Sequence, residues 1–120
     1  LKVLIVDDAT LARTMLRKVV EECVISDIFE AQNGVEAIQI FEKERPNLVI
    51  MDITMPEMDG ITATKKILEI DNSANVIVCS ALGQKEVVME AIQAGAKHYI
   101  VKPFEASQVT NIIKAMLGIK

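Results

Sequence analysis

Five short apolar runs alternate with five amphipathic stretches along these 120 residues, and that alternation most constrains the fold. The clearest run is Leu48-Val-Ile-Met, which leads straight into Asp52 and then a loop marked by Pro56 and Gly60. A continuous apolar run bounded by turn signals is how a strand buried on both faces reads. Lys2–Val6, ending at Asp7-Asp8, has the same form, as do Asn75–Cys79, ending at Ser80, and His98–Val101, ending at Lys102-Pro103. Ile25 to Ala31 alternates less cleanly and reads as a strand near a sheet edge.

Between the runs, Leu11, Met15, Leu16, Val19, Val20 and Cys23 are expected to form one apolar helix face, capped by Thr10 or Asp8. Asn33-Gly-Val-Glu36 has the form of a capping box. The helix it opens would turn Val35, Ile38 and Phe41 inward and stop before Pro46. A third helix carries Ile61, Ala63, Ile67, Leu68 and Ile70, and a fourth runs from about Gln84 to a left-handed stop at Gly95. Val109, Ile112, Ile113, Met116 and Leu117 mark the last. Strands separated by helices pair in parallel through right-handed crossovers, with helices on both faces. The expected fold is α/β, a flavodoxin-like doubly wound (βα)5 unit with five-stranded parallel sheet order 2-1-3-4-5, in one domain spanning residues 1–120.

Net charge and cysteine content then remove several functions. A formal charge of −4 argues against direct nucleic-acid binding. No apolar run approaches the roughly 20 residues that span a bilayer, so membrane insertion is not expected. Cys23 and Cys79 lack partners at metal-ligand spacing and read as free, buried or half-buried thiols of a cytoplasmic protein. The chain opens on a strand at Leu1 without a signal-peptide pattern, and the missing initiator Met suggests trimming.

Parallel strands place all their carboxyl ends on one edge, where open α/β sheets bind ligands. That edge collects Asp7, Asp8, Asp52, Ser80 and Lys102 from distant parts of the chain. Caps and turns alone would not select three acids, one hydroxyl and one amine. Carboxylates 4 Å apart repel by about 4 kcal/mol per pair at an effective dielectric of about 20. Such a cluster takes up a proton or holds a cation. All-oxygen ligands favour Mg²⁺, which keeps several waters and accepts a phosphate as co-ligand. Lys102 adds a point charge suited to a phosphoryl oxygen and Ser80 a donor, so the set reads as a phosphoryl-transfer site with a carboxylate nucleophile.

Asp7-Asp8, Met51-Asp52 with Met55-Pro56-Glu-Met-Asp-Gly60, Cys79-Ser80-Ala81, and Ala94-Gly-Ala96 leading to Lys102-Pro103-Phe104 resemble the receiver domain of bacterial response regulators. The likeness covers essentially the whole chain and is strongest to the single-domain chemotaxis receivers. It implies that Asp52 accepts a phosphoryl group from a sensor histidine kinase or from a small donor such as acetyl phosphate. It implies that Asp8, Asp52 and the Thr54 carbonyl bind Mg²⁺, with Mn²⁺ as an alternative, and that Asp7 holds a metal water or ligates directly. Lys102 would contact the phosphoryl oxygens, Ser80 would swing toward them, and Tyr99 would move into the space vacated. The Lys102–Pro103 peptide would be cis. The protein would then be a two-component switch that catalyses only its own phosphorylation and dephosphorylation.

The signal should emerge on helix 4, strand 5 and helix 5. Val88, Ala91 and Ile92 form the core face of helix 4, while Val87 and Met89 fall on opposite flanks and, with Tyr99, are candidates for a partner surface. The expected output partner is the flagellar motor switch. Thr54 and the apolar Leu82 depart from the best-known family pattern at two positions that tune water access, so Leu82 should slow dephosphorylation. His98, the sole histidine, reads as an exposed or edge side chain, and Met51, Met55 and Met58 as packing. One alternative is a receiver cut from a longer regulator such as a transcription factor. The ending Gly118-Ile-Lys120, without a linker, favours the stand-alone form. More distant are a haloacid dehalogenase-type phosphatase, which needs Asp-x-Asp where this chain has adjacent acids, and a flavodoxin, which needs a glycine- and hydroxyl-rich loop after strand 1.

Overall fold

The computed structural model describes residues 1–55, 58–81 and 84–119. Ten elements alternate: β1 (Lys2–Val6), α1 (Thr10–Glu22), β2 (Asp27–Ala31), α2 (Gly34–Glu44), β3 (Leu48–Asp52), α3 (Gly60–Ile70), β4 (Val76–Ala81), α4 (Lys85–Ala94), β5 (His98–Lys102) and α5 (Ala106–Leu117). The strands form one parallel sheet in the order β2-β1-β3-β4-β5. Both the alternation and the strand order match the sequence expectation.

Strand side chains alternate between two cores. Val3, Ile5, Leu48, Ile50, Ile77 and Ile100 pack under α1 and α5. Leu4, Val6, Val49, Met51, Val76 and Val78 pack under α2, α3 and α4. The period of two then carries past the strand ends. Asp7, Asp52 and Lys102 extend the rows of Ile5, Ile50 and Ile100 on the α1/α5 face, whereas Ser80 extends the Val76–Val78 row on the α4 face.

Several local expectations need correction. Leu11 and Met15 do not join the α1 core face; they are 72% and 48% exposed, while Leu16, Val19 and Val20 are buried. At about 100° per residue, Leu11 lies about 130° from the centre of the buried stripe and Met15 about 90°. The α1 N-cap is Ala9 rather than Thr10 or Asp8, and its methyl offers no acceptor; the Asp7 carboxylate accepts the Ala9 N–H at 2.9 Å. Val35 is exposed rather than inward. The α2 capping box is displaced: Asn33 accepts the Glu36 N–H at 2.9 Å, but the Glu36 carboxylate reaches back to Gln32. β2 starts only at Asp27, and β4 continues through Ser80 to Ala81. Gly95 stops α4 in the left-handed conformation as expected, and Lys102–Pro103 is cis. Both cysteines are free and buried, and His98 is exposed on the edge strand β5. No helix among the described residues is long and apolar enough to cross a membrane.

Candidate functional site

The acids meet because β1 and β3 are neighbours. Val6 pairs with Met51, so Asp7-Asp8 and Asp52 leave the sheet side by side. Ligand oxygens of Asp7, Asp8 and Asp52 lie within 4.8 Å of one another. Asp7 and Asp52 are buried and Asp8 is exposed, which leaves the cluster open to solvent on one side. Lys102 arrives from β5, two strands away. Its Nζ lies 2.6 Å from Asp7 Oδ2 and 3.5 Å from Asp52 Oδ1.

The acids are unequal. One Asp7 oxygen accepts the Ala9 N–H and the other the Lys102 ammonium, so both are engaged. Among the described residues, Asp52 has only the longer contact to Lys102. Burial, and then the Asp7 charge, push the Asp52 carboxyl up to about 6, against the opposing pull of Lys102. Burial alone would depress the Lys102 ammonium. The hydrogen bond to Asp7 and the charges of Asp52 and Asp7 outweigh that and hold it above its ordinary value. Cys79, fully buried behind the site, has its thiol pushed up to about 12 by burial and is inert.

The loop after β3 is braced from behind. Gly60 donates its N–H to the Ile53 carbonyl at 2.8 Å, and a Cβ there would fall on the Asp52 carbonyl oxygen, well inside contact distance. A Cβ on Gly34 would press on Met58 at 2.8–2.9 Å, so α2 also closes against this loop. Thr54 is exposed, and its Oγ1 accepts from Gln84 Nε2 at 3.3 Å while Gln84 Oε1 accepts the Ala81 N–H at 2.8 Å. One amide therefore ties the end of β4 to the loop after β3.

Ser80 is buried on the α4 face and lines a mostly apolar cavity of about 290 Å³ with Val88, Met89, Tyr99 and Val101. Tyr99 is 47% exposed at its rim. Val87 lines a separate cavity of about 390 Å³ between α3 and α4, with Thr54, Lys65 and Glu90. The two α4 flanks thus face different hollows, as their helical positions required. Pro56 and Leu82 lie outside the described residues.

An all-carboxylate donor set this compact, with one exposed member and a raised Asp52, fits a hard divalent cation. A family model described as "Response regulator receiver domain" matches residues 3–114. The chain belongs to that family. It is 49% identical over 117 residues to the chemotaxis protein CheY of Bacillus subtilis, covering 98% of each chain. It is 50% identical over 112 residues to CheY of Thermotoga maritima, covering 93% of each. The fold superposes with a TM-score of 0.91 on a chain of the CheX–CheY–BeF3–Mg²⁺ complex from Borrelia burgdorferi, at 36% identity, covering 97% of this chain and 88% of that one. This protein is therefore a CheY-like receiver, a phosphoacceptor signalling switch with an acidic pocket of Asp7, Asp8 and Asp52, rather than a conventional enzyme. The phosphatase and flavodoxin readings are set aside by the family match.

The Arg13–Glu30–Arg17 cluster and the Gln84 bridge were not read from the sequence. Arg13 and Arg17 share a helix face at i and i+4, which was a visible signal. Their acidic partner becomes identifiable only once β1 and β2 are known to pair.

Proposed function

We propose that Asp52 is the phosphoacceptor, receiving its phosphoryl group from a sensor histidine kinase. The observation that carries this is the asymmetry within the pocket: among the described residues Asp7 is held by Lys102 at 2.6 Å and by Ala9, whereas Asp52 has only the 3.5 Å contact to the same cation. A nucleophile needs a free lone pair. An Asp52 oxygen attacks phosphorus, the nitrogen–phosphorus bond of the donor breaks, and the imidazole leaves with the bonding pair. Lys102 sits where it can follow the charge onto the phosphoryl oxygens. Ser80, one strand over, donates its hydroxyl to them after a shift toward the edge.

Asp8, Asp52 and the Thr54 carbonyl would hold Mg²⁺ directly, and Asp7, both oxygens already engaged, would act through water; Mn²⁺ could substitute. The cation would supply charge neutralisation at the carboxylates and phosphoryl oxygens. An aspartyl phosphate adds about −1.5 to −2 charges. The switch is the difference in contact energy between the two states. Ser80 and Tyr99 line one cavity, which supports a coupled movement in which Tyr99 turns inward as Ser80 leaves. The surface so altered is α4, β5 and α5, including Met89 and Tyr99, with Val87 on the far flank. Its partner is the flagellar motor switch in the cytoplasm, a reading supported by chemotaxis relatives matched over nearly their whole length. A receiver belonging to a longer regulator would share the chemistry and differ only in output.

Intact mass after incubation with acetyl phosphate and Mg²⁺ tests the assignment. The expected result is a gain of one phosphoryl group, absent in Asp52→Asn and in metal-chelated samples. Equal phosphorylation of Asp52→Asn would refute it.

A further inference from the structure

The peptide joining Asp7 to Asp8 is held by a side chain from outside the pocket. β1 pairing ends where Val6 meets Ala31 and Met51, and the Asp7 N–H still donates to the Ala31 carbonyl at 3.1 Å. The Asp7 carbonyl lies past the ladder and needs another donor. Arg13 of α1 provides it, with Nη1 2.6 Å from the Asp7 carbonyl oxygen. Its other nitrogens are committed too: Nε donates to Glu30 Oε1 at 3.0 Å and Nη2 to Thr10 Oγ1 at 3.3 Å. A guanidinium offers its donors in a rigid planar fork, so fixing two of them fixes the direction of the third. Glu30 belongs to β2 and pairs with Ile5 of β1, so the anchor sits on the strand beside the one that delivers the acids.

We propose that Arg13, oriented by Glu30, is a positioning residue for the divalent-cation site. It sets the plane of the Asp7–Asp8 peptide and thereby the direction in which the Asp8 carboxylate leaves the chain. The inference rests on the reading that these acids hold Mg²⁺. Position and charge make opposite predictions here. A guanidinium near the pocket repels a dication, so if charge alone mattered, removing it would tighten binding. If Arg13 acts by holding the peptide, removing it weakens binding. Hydrogen-bonding partners behind metal ligands are typically worth 10- to 100-fold in affinity. Arg13 holds a backbone carbonyl rather than a ligand atom, so about 10-fold is expected.

Arg17 is the internal control. It binds the same Glu30 through Oε2 at 2.8 Å but sends its other donor to the Ile28 carbonyl, not to the pocket. The experiment is a Mg²⁺ titration followed by the amide NMR shifts of Asp8 and Ala9, in the unaltered protein, Arg13→Ala, Arg13→Lys, Glu30→Gln and Arg17→Ala. Amide hydrogen exchange at Asp8 and Ala9 is measured on metal-free samples of each. The expected result is a Kd raised about 10-fold in Arg13→Ala and several-fold in Arg13→Lys and Glu30→Gln, with faster exchange at both amides and neither change in Arg17→Ala. If Arg13→Ala does not fold, Arg13→Lys, which keeps the charge and loses the fork, decides alone. An unchanged or tighter Kd in the Arg13 variants, or equal weakening in Arg17→Ala, overturns the proposal. If the unaltered protein binds no Mg²⁺, the metal reading itself fails; the exchange rates then still show whether Arg13 holds the Asp7–Asp8 peptide.

Discussion

Replacing Asp52 with Asn should make the metal-free protein more stable, and the gain should depend on pH in a defined way. Asp52 is 8% exposed, with two other carboxylates close by and one ammonium at 3.5 Å. Its carboxyl is pushed from the ordinary 3.8 to about 6, so the folded state binds this proton more tightly than the unfolded chain does. Stability therefore falls as pH rises from about 4 to about 6 and stays low above that, because the folded protein must then carry an ionised group it disfavours. At about 1.4 kcal/mol per pH unit the interval corresponds to about 3 kcal/mol, an upper figure. Asn is nearly isosteric and uncharged, and it leaves the Lys102–Asp7 pair at 2.6 Å in place. The expected gain is about 2–3 kcal/mol at pH 7.5, shrinking to near zero below pH 4. Urea unfolding of both proteins in chelator at several pH values measures it, with a midpoint shift of about 1 M or more at pH 7.5. Saturating Mg²⁺ should narrow the gap, since it stabilises only a folded state that binds it. A gap that is absent at pH 7.5, or that persists unchanged to pH 4, would refute the reasoning.

Lys102→Met should cost about 3 kcal/mol at pH 7.5, because it leaves the buried Asp7 carboxylate without its cation; a urea midpoint equal to the parent's would contradict this. Gly60→Ala should cost about 3 kcal/mol or more, or prevent folding, because its Cβ would collide with the Asp52 carbonyl; a thermal melt within a degree or two of the parent's would contradict the geometry. Val24→Gly should raise the melting temperature by a few degrees, since Val24 is 93% exposed with φ +62, a conformation that costs an L-residue about 1–2 kcal/mol. A Val87→Glu/Met89→Glu protein should fold and take up phosphate yet bind its output partner at least about 10-fold more weakly, the effect of a 1.4 kcal/mol loss. Normal binding by phosphorylated double variant would remove α4 from the docking surface.

The sheet was legible in the sequence because its three central strands are buried on both faces. Such strands leave continuous apolar runs, as at Val3–Val6 and Leu48–Met51, and the first polar residue after each marks the functional edge. The same rule brought Asp7, Asp8, Asp52 and Lys102 to one place. It said less about Ser80, which leaves the sheet on the α4 face; only counting alternation along β4 separates it from Asp52 and Lys102. At Leu11 and Met15 apolar identity does not bring burial, because helical geometry sets both off the buried stripe of α1. The supports of the pocket were invisible for a different reason. Arg13, Glu30, Gln84 and Gly60 act through backbone carbonyls, amides or bare contact distance, and no residue-type pattern encodes those.

The pocket resolves a conflict between stability and signalling by dividing it among its residues. Three carboxylates within 4.8 Å of one another cannot all be satisfied by one lysine. Lys102 is shared unequally, close to Asp7 and more distant from Asp52, so the electrostatic cost falls mainly on Asp52, whose carboxyl rises to about 6. A carboxylate left in that state gains most from any new positive charge or donor nearby, whether a cation, the Ser80 hydroxyl or a closer Lys102. Satisfying Asp7 more fully and Asp52 less fully thus keeps the sheet edge folded while leaving one group whose condition can change. A switch needs two states of nearly equal free energy, and a destabilised resting carboxylate reduces what a phosphoryl group must supply to favour the second state. If Asp52 is the phosphoacceptor, as proposed, the variant that relieves it gains stability and loses the switch together.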